Sequence, residues 1–408
     1  MDTQKKDSLL VTLAAQLFIL VLCSSILVSP FAVWPYSIVQ FEVPRVVFWQ
    51  MASVVLMLLA LWSLAFRKGF APILNKKLWL ILLVWVGGIG ISVWTNHTWN
   101  DSWTGNFYRH DGLQTLSALV CLAMAVSISW RNSWQKVVAI SQVCALACIS
   151  AWTLVDTLRL WQGAGGLIPT MNGAVGVSFG QPNFLAGYLL ITLPWLYFLW
   201  QDTASKTIRV FLGLVGLLSC LAIVATQSWA TALGIGLFLL GLICIYSNKT
   251  TYLLGLAVLF AMAFNGYAYW EGHLTFFPES RARIFYRAHL AILEKPLLGW
   301  GWARVDEALT RYPWPTQVLH DVYIDKAHSH FLEMAVTTGL VGLGAYLFFV
   351  YTLFGSLHDR LQTNKTDKHW YATLLLILAL YIFHTQTNVI GIAEEIPFWL
   401  VVGWMLLA

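Results

Sequence analysis

Charge is what this sequence has little of. Asp, Glu, Lys and Arg together supply 11 % of its 408 residues, against about a quarter in soluble domains. Apolar residues make up 59 % and the mean hydropathy is +0.69. These values exclude a soluble globular protein and imply an integral membrane protein. Cysteine is absent from the polar segments: Cys23, Cys121, Cys144, Cys148, Cys220 and Cys244 all lie inside apolar runs. They read as small hydrophobes, so neither a disulfide framework nor a metal site is expected. Lys5 and Lys6 precede the first apolar run, but no small-residue cleavage site comes after it, and an uncleaved first helix is expected. The polar segments hold no nucleotide-binding glycine loop, no HExxH pair and no Asp-rich metal motif, which argues against ATP-driven pumping and against a nucleotide-sugar site. The net charge of +5 is not a nucleic-acid signal, because the basic residues divide between the two sides of the membrane. No second soluble domain, low-complexity linker or repeat interrupts the chain, which reads as a single membrane domain over 1–408.

Apolar stretches of about 17 to 23 residues recur, each long enough to cross a bilayer as a helix. About twelve transmembrane helices are expected, near 8–29, 46–66, 78–95, 113–130, 137–158, 184–200, 210–226, 229–246, 252–269, 331–353, 371–383 and 396–408. Many of the 22 Trp sit at the ends of these runs, as in an interfacial aromatic belt. Alternate short connections carry the positive charge: Arg67, Lys68, Lys76 and Lys77; Arg131 and Lys136; Lys206 and Arg209; Lys249; Arg360, Lys365 and Lys368. With Lys5 and Lys6 they mark the cytoplasmic side, so both termini are expected in the cytoplasm. The segment 271–330, the one long polar interruption, then becomes a large, partly helical external loop. It shares that side with 94–112, 159–183 and the final turn IGIAEEIP.

The chemistry-bearing residues concentrate in these external segments. His328, in KAHSHFLEMAVTTGLVGLGAYL, opens the tenth helix; an imidazole titrates near neutrality and can take a proton from a hydroxyl. The competing reading is that His328 or His330 merely anchors a helix start. Glu333 stands three residues after His330 and is expected to pair with it on the helix surface. His330 lies two residues beyond His328, roughly 200° around a helix, and is expected to face elsewhere. Arg281, Arg283 and Arg287 fall on or just before the amphipathic stretch IFYRAHLAILEKP, the last two on one face; guanidinium forks match phosphate oxygens in pairs and suit a diphosphate. The alternative is a basic helix lying on anionic lipid. Arg109, in GNFYRHDG, is a lone external arginine that could pair with Asp111. Asp156 and Arg159 read as an internal salt bridge, and His384 as an intramembrane histidine, either functional or bonded to a neighbouring helix.

Four segments in order resemble the superfamily of O-antigen ligases, O-antigen polymerases and bacterial O-oligosaccharyltransferases. KAHSHFLEMAVTTGLVGLGAYL is similar to its Ala-His-Asn-x-x-Leu-(Glu/Gln) segment and the Gly-rich helix after it. SRARIFYRAHLAILEKPLLGWG resembles its Ser-Arg stretch ending in Pro-Leu-x-Gly-x-Gly. FGQPNFLAGYLLITLP, with Asn183, is similar to its Pro-Asn helix start, and SWTGNFYRHDGL to a first-loop segment of one branch. The resemblance implies a many-helix, lipid-donor glycosyltransferase in the bacterial inner membrane. Such an enzyme moves a glycan from undecaprenyl diphosphate to a hydroxyl on the outer side, with no nucleotide and no cofactor. It implies His328 as the acceptor-activating histidine and Arg281, with Arg283, as diphosphate ligands; Arg109 and Arg287 are further candidates, and Ser329, standing for the family's Asn, His330, Glu333 and Asn183 secondary ones. The partners implied are membrane lipid, a lipid-linked oligosaccharide donor, and a glycan, lipid A core or protein acceptor. One departure is notable: the family's arginine in the turn before the eighth helix is Trp229 here. A membrane solute transporter without transferase activity is the reading of a different class; it calls for deep polar pairs or broken half-helices.

Overall fold

The computed structural model describes residues 2–34, 36, 38–66, 75–167, 175–275, 281–313 and 323–407. Arg67, Lys68 and Ser280 lie outside these residues, as do parts of two expected external connections. The protein is an all-α polytopic membrane protein. In chain order its helices are α1 Asp2–Val28, α2 Glu42–Phe66, α3 Lys76–Thr95, α4 Trp99–Thr104, α5 Leu113–Ser129, α6 Gln135–Trp161, α7 Pro182–Thr192 and α8 Pro194–Asp202. Next come α9 Lys206–Ala225, α10 Trp229–Tyr246, α11 Leu253–Thr275, α12 Arg281–Glu294, α13 Val305–Thr310, α14 His330–Thr363, α15 Lys368–Thr387 and α16 Ile392–Met405. Among the described residues ten helical spans are long and apolar enough to cross a membrane. The expected twelve differ by α5 and α16, apolar helices of 17 and 14 residues. The expected sixth helix is two, because Pro194 cannot donate into the turn before it and the chain breaks between α7 and α8.

Burial tracks the residue pattern. The stretch from Leu374 to Phe383 is apolar all round, and such a helix belongs inside a bundle. Accordingly α15 is the central post, packed by α7, α8, α10, α11, α14 and α16. The peripheral helices α1, α9 and α10 turn Leu20, Leu217 and Ile243 outward, as lipid-facing helices do. The tryptophans are not all interfacial. Trp195, Trp370 and Trp404 are buried, and with Trp130 they form a cluster with ring centroids 4.8–5.9 Å apart at one end of α15. All six cysteines are free.

The two ends of the bundle are distinct. At one, Asn132 and Gln135 bond Asp367, Lys136 pairs with Asp202 at 2.9 Å, and Lys368 reaches Asn248. At the other, α4, α12 and α13 and the segments between them form a cap with its own small core of Ile284, Ala288, Trp300, Val305, Leu309 and Val336. The cap is joined to the bundle through α14. That helix is interrupted at Gly339 (φ +68), and the loop after α12 fills the break: Trp300 and Gly301 N–H donate to Val336 and Thr337 C=O, while Leu340 N–H donates to Pro296 C=O.

Candidate functional site

The segment 323–333 runs out of the cap into α14 and carries most of the candidate residues. His328 has a φ of +55, a left-handed conformation that costs a non-glycine residue about 1–2 kcal/mol. Gln386 of α15 holds the next residues in place. Ser329 Oγ donates to Gln386 Oε1 at 3.0 Å and the Phe331 N–H donates to the same oxygen at 2.9 Å, so a neighbouring helix caps α14 from outside. The Gln386 carbonyl in turn accepts from Asn265 Nδ2 at 2.6 Å.

Arg281, first residue of α12, joins this arrangement. Its guanidinium donates to Asn265 Oδ1 at 3.1 Å and to Asn388 Oδ1 at 3.5 Å, and lies over Phe264 at 4.8 Å. These partners are neutral, and among the described residues no acid pairs with it. Burial lowers its pKa to about 10, which leaves it cationic near neutrality. Burial first, then the Arg281 charge, lowers the His328 pKa to about 4, with Arg109 acting in the same sense and Asp325 against it. The imidazole is therefore neutral and able to accept a proton. Asn265 and Gln386 link Arg281 to Ser329, the residue after His328, and Arg281 acts electrostatically on His328.

Arg109 reaches the same place by another route. Its Nε contacts Asp325 Oδ2 at 2.6 Å and its guanidinium lies over Phe184 at 4.8 Å. Burial works against its charge, but Asp325 more than offsets that, and its pKa is raised. The pairing differs from the Asp111 partner expected from proximity in sequence. Asp111 is held instead by Lys326, whose ammonium also meets Glu333 Oε2 at 3.1 Å. Burial disfavours the Lys326 charge, yet the two carboxylates raise its pKa above the ordinary lysine range. Glu333 thus pairs with Lys326 rather than with His330. These contacts, with Asn106 Nδ2 donating to Asp306 at 2.9 Å, stitch the segment 94–112 to the cap.

His330, the first residue of α14, turns into a cavity of about 100 Å³ between cap and bundle. Arg109, Asp111, Lys326 and Glu333 also line that cavity; His328 and Arg281 do not. Arg283 and Arg287 share a face of α12 as expected, but both are buried, which does not fit a helix resting on lipid. Asn183 opens α7 half-buried, its backbone against His384. His384 Nε2 lies 3.2 Å from Asn388 Nδ2, and its Nδ1 lies 3.7 Å from Glu394, both side chains fully buried. Gly187 of α7 is what allows that approach, since a Cβ there would fall 2.0 Å from Glu394 Oε1. Asp156 and Arg159 do not form the expected bridge: Asp156 accepts from the Leu167 N–H at 3.0 Å and Arg159 donates to the Gly165 carbonyl at 3.1 Å. Trp229 is exposed at the start of α10, an interfacial side chain. Among the described residues no three His, Cys, Asp or Glu are grouped to hold a metal ion.

Residues 203–347 match the family model described as O-antigen ligase. Over these residues the chain is similar to the O-antigen ligase family. No curated protein matches the chain. The O-antigen ligase segment takes in α9 to α13 and the first half of α14, and so contains Arg281, Arg283, Arg287, Lys326, His328, Ser329, His330 and Glu333. It leaves out Asn183, and also Arg109, Asp111 and Gln386, which reach the segment through the fold. Sequence reasoning missed Asp325, Lys326, Gln386 and Asn388. A signal for the first two was present: an adjacent acid and base just before His328, in a chain poor in charge.

Proposed function

We propose that the protein transfers a glycan from an undecaprenyl-diphosphate-linked donor to an acceptor hydroxyl on the outer side of the cytoplasmic membrane. The observation that carries this reading is Arg281, whose partners among the described residues are neutral amides and a ring, acting electrostatically on the neutral imidazole of His328. A cation held by neutral groups in a largely buried site is suited to an anionic ligand, and a guanidinium binds phosphate oxygens in pairs. The acceptor oxygen attacks the anomeric carbon from the face opposite the diphosphate. The C–O bond to the diphosphate breaks with its electron pair going to the departing oxygen, which Arg281 stabilises, and the acceptor proton passes to His328. Inversion at the anomeric carbon results. Diphosphate charge beside His328 offsets the two arginines that depress its basicity, so the base strengthens when the donor is bound.

One observation favours the transporter reading: α14 is broken in mid-span, and His384 and Glu394 form a deep polar pair. The break, however, is occupied by the backbone of 296–301, which uses the N–H and C=O groups a substrate would need. Transfer accounts for the site better. The test is the purified full chain in lipid nanodiscs, given lipid-linked glycan together with an envelope extract as acceptor source. Release of undecaprenyl diphosphate with a new glycoconjugate is expected. No release, together with glycan-dependent solute uptake in proteoliposomes, overturns the reading.

A further inference from the structure

Three side-chain amides converge on Arg281 and the turn at His328: Asn265 of α11, Gln386 in the last turn of α15 and Asn388 just beyond it. Hydrogen bonding fixes which way round each amide lies. Gln386 Oε1 meets the Phe331 N–H, which can only donate, so the Gln386 nitrogen turns the other way, to Thr385 Oγ1 at 3.0 Å. Asn265 gives its oxygen to a guanidinium, which has no acceptor, and its nitrogen to the Gln386 carbonyl, which has no donor. Asn388 gives its oxygen to Arg281 and turns its nitrogen to His384 Nε2. Gln386 and Asn388 are each 3 % exposed, so water does not compete for these bonds.

The amides connect the two groups to which the reaction is assigned. His328 is left-handed at φ +55, and strain of that kind persists only where the surroundings over-determine it. One oxygen, Gln386 Oε1, pins both Ser329 and Phe331, the residues that follow the strained turn. The backbone of the same glutamine holds Asn265, and the far end of Asn265 holds Arg281. The glutamine side chain therefore acts on the histidine, and the asparagine acts on the arginine.

Amides here are a departure from the rest of the external end. Arg109 is paired with Asp325, Arg304 with Asp101, and Lys326 with Asp111 and Glu333. A carboxylate in place of the Asn265 amide would accept the same Arg281 bond more strongly. It would also neutralise the guanidinium and compete with any phosphate for it. An amide aims the guanidinium and leaves its charge to the ligand.

We propose that Gln386, Asn265 and Asn388 are positioning residues for the transfer. Gln386 sets the place of His328, the two asparagines aim Arg281 without neutralising it, and the Asn265–Gln386 bond registers base and arginine against each other. The proposal deepens the transferase reading and rests on it for the reaction being positioned.

The test uses the full chain in nanodiscs, with the transfer assay for turnover and farnesyl diphosphate as the binding probe. Gln386→Met keeps the length of the side chain and deletes its oxygen. It is expected to lower kcat about a hundredfold while farnesyl diphosphate affinity stays within about twofold. Gln386→Glu, which returns an oxygen, recovers about tenfold or more of that loss. Ser329→Ala costs less, and costs nothing further in the Gln386→Met background, because the bond it deletes is already gone. At the arginine, Asn265→Ala weakens farnesyl diphosphate, and Asn265→Asp, which keeps the oxygen and adds a charge, weakens it further, by about tenfold or more. Farnesol, which has no phosphate, binds wild type and both Asn265 variants alike. The proposal falls if Gln386→Met turns over at the wild-type rate, or if it loses kcat, probe affinity and melting temperature together with no recovery in Gln386→Glu. It falls equally if Asn265→Asp binds farnesyl diphosphate as tightly as wild type. A wild-type chain that releases no undecaprenyl diphosphate sinks the transferase reading instead, and the affinity order at Asn265 then decides whether the amides serve an anion site.

Discussion

In the proposed reaction His328 acts as a neutral imidazole, kept neutral by burial first and then by the Arg281 charge. With a pKa of about 4 in the free protein, its protonated form becomes dominant only below that pH. The acid limb of kcat/KM for the donor is therefore expected near pH 4. Bound diphosphate offsets Arg281 and Arg109, so the limb of kcat, which reports the complex, moves upward toward the ordinary histidine value. Limbs that coincide, or that survive in His328→Ala, would remove the imidazole from proton transfer. His328→Ala itself should lose about two to four orders of magnitude in turnover while keeping donor affinity. Arg281 is expected to divide the other way. Arg281→Ala weakens donor binding, and Arg281→Lys restores only part of it because the paired geometry is gone; equal affinity in all three proteins, measured with lipid-linked glycan, would return the arginine to a packing role. Both residues stand out in the sequence. What cannot be read there is that Arg109 belongs to Asp325 and Lys326 to Asp111, partners 216 and 215 positions away. Spacing pointed Arg109 to Asp111, and folding gave each of these two a distant partner instead.

The elements explain why two soft motifs occur together. EKPLLGWG and TTGLVGLG look unrelated along the chain, yet each provides the glycine that the other's backbone requires. A Cβ on Gly339 would lie 2.2 Å from the Leu297 carbonyl, and one on Gly299 would lie 2.5 Å from Thr337 C. Both glycines have positive φ. Ser92 of α3 completes the joint, its Oγ 2.5 Å from the Leu298 carbonyl and 2.8 Å from that of Thr337. The cap is thus bonded to the break in α14, and the break fixes where 323–330 enters the membrane. Gly339→Ala adds both a clash and left-handed strain, at least about 1–2 kcal/mol from the strain alone. It should lower the melting temperature of the solubilised protein and reduce activity with it. Gly344→Ala, where a Cβ meets nothing within 4 Å, is the matched control and should be silent or slightly stabilising. Equal melting temperatures for the two variants would mean that the joint does not hold the cap. Helix existence was legible from apolar length, but the α14 break was not, because Gly339 lies in an apolar run that reads as continuous.

For the whole molecule, sidedness matters more than the number of spans. The connections at 131–136, 202–206, 246–250 and 364–368 touch one another at one end, and Asn75 joins them through the C-terminal Leu406. That end gathers Lys76, Lys77, Lys136, Lys206, Lys249, Lys365 and Lys368 on short connections. The opposite end has Arg281, Arg283, Arg287 and Arg304 in the long cap and Arg109 in the segment 94–112, with Arg109 and Arg304 neutralised by Asp325 and Asp101. Positive charge on short loops marks the cytoplasmic face, whereas long segments translocate regardless of charge. The cap, and the Arg281–His328 site with it, should therefore face outward, where a lipid-linked donor already flipped across the membrane would meet it. In a background with the six native cysteines replaced, single cysteines at the exposed positions Thr104 and Thr310 are expected to react with an impermeant maleimide in intact spheroplasts. Cysteines at Ser133 and Thr366 should react only after lysis. Reaction at Ser133 and Thr366 with protection at Thr104 and Thr310 would put the base and its arginine in the cytoplasm, and an externally acting transferase would be untenable. Reaction at all four before lysis would indicate leaky cells, which a cytoplasmic marker protein in the same sample detects, so the orientation stands or falls on the difference between the two pairs.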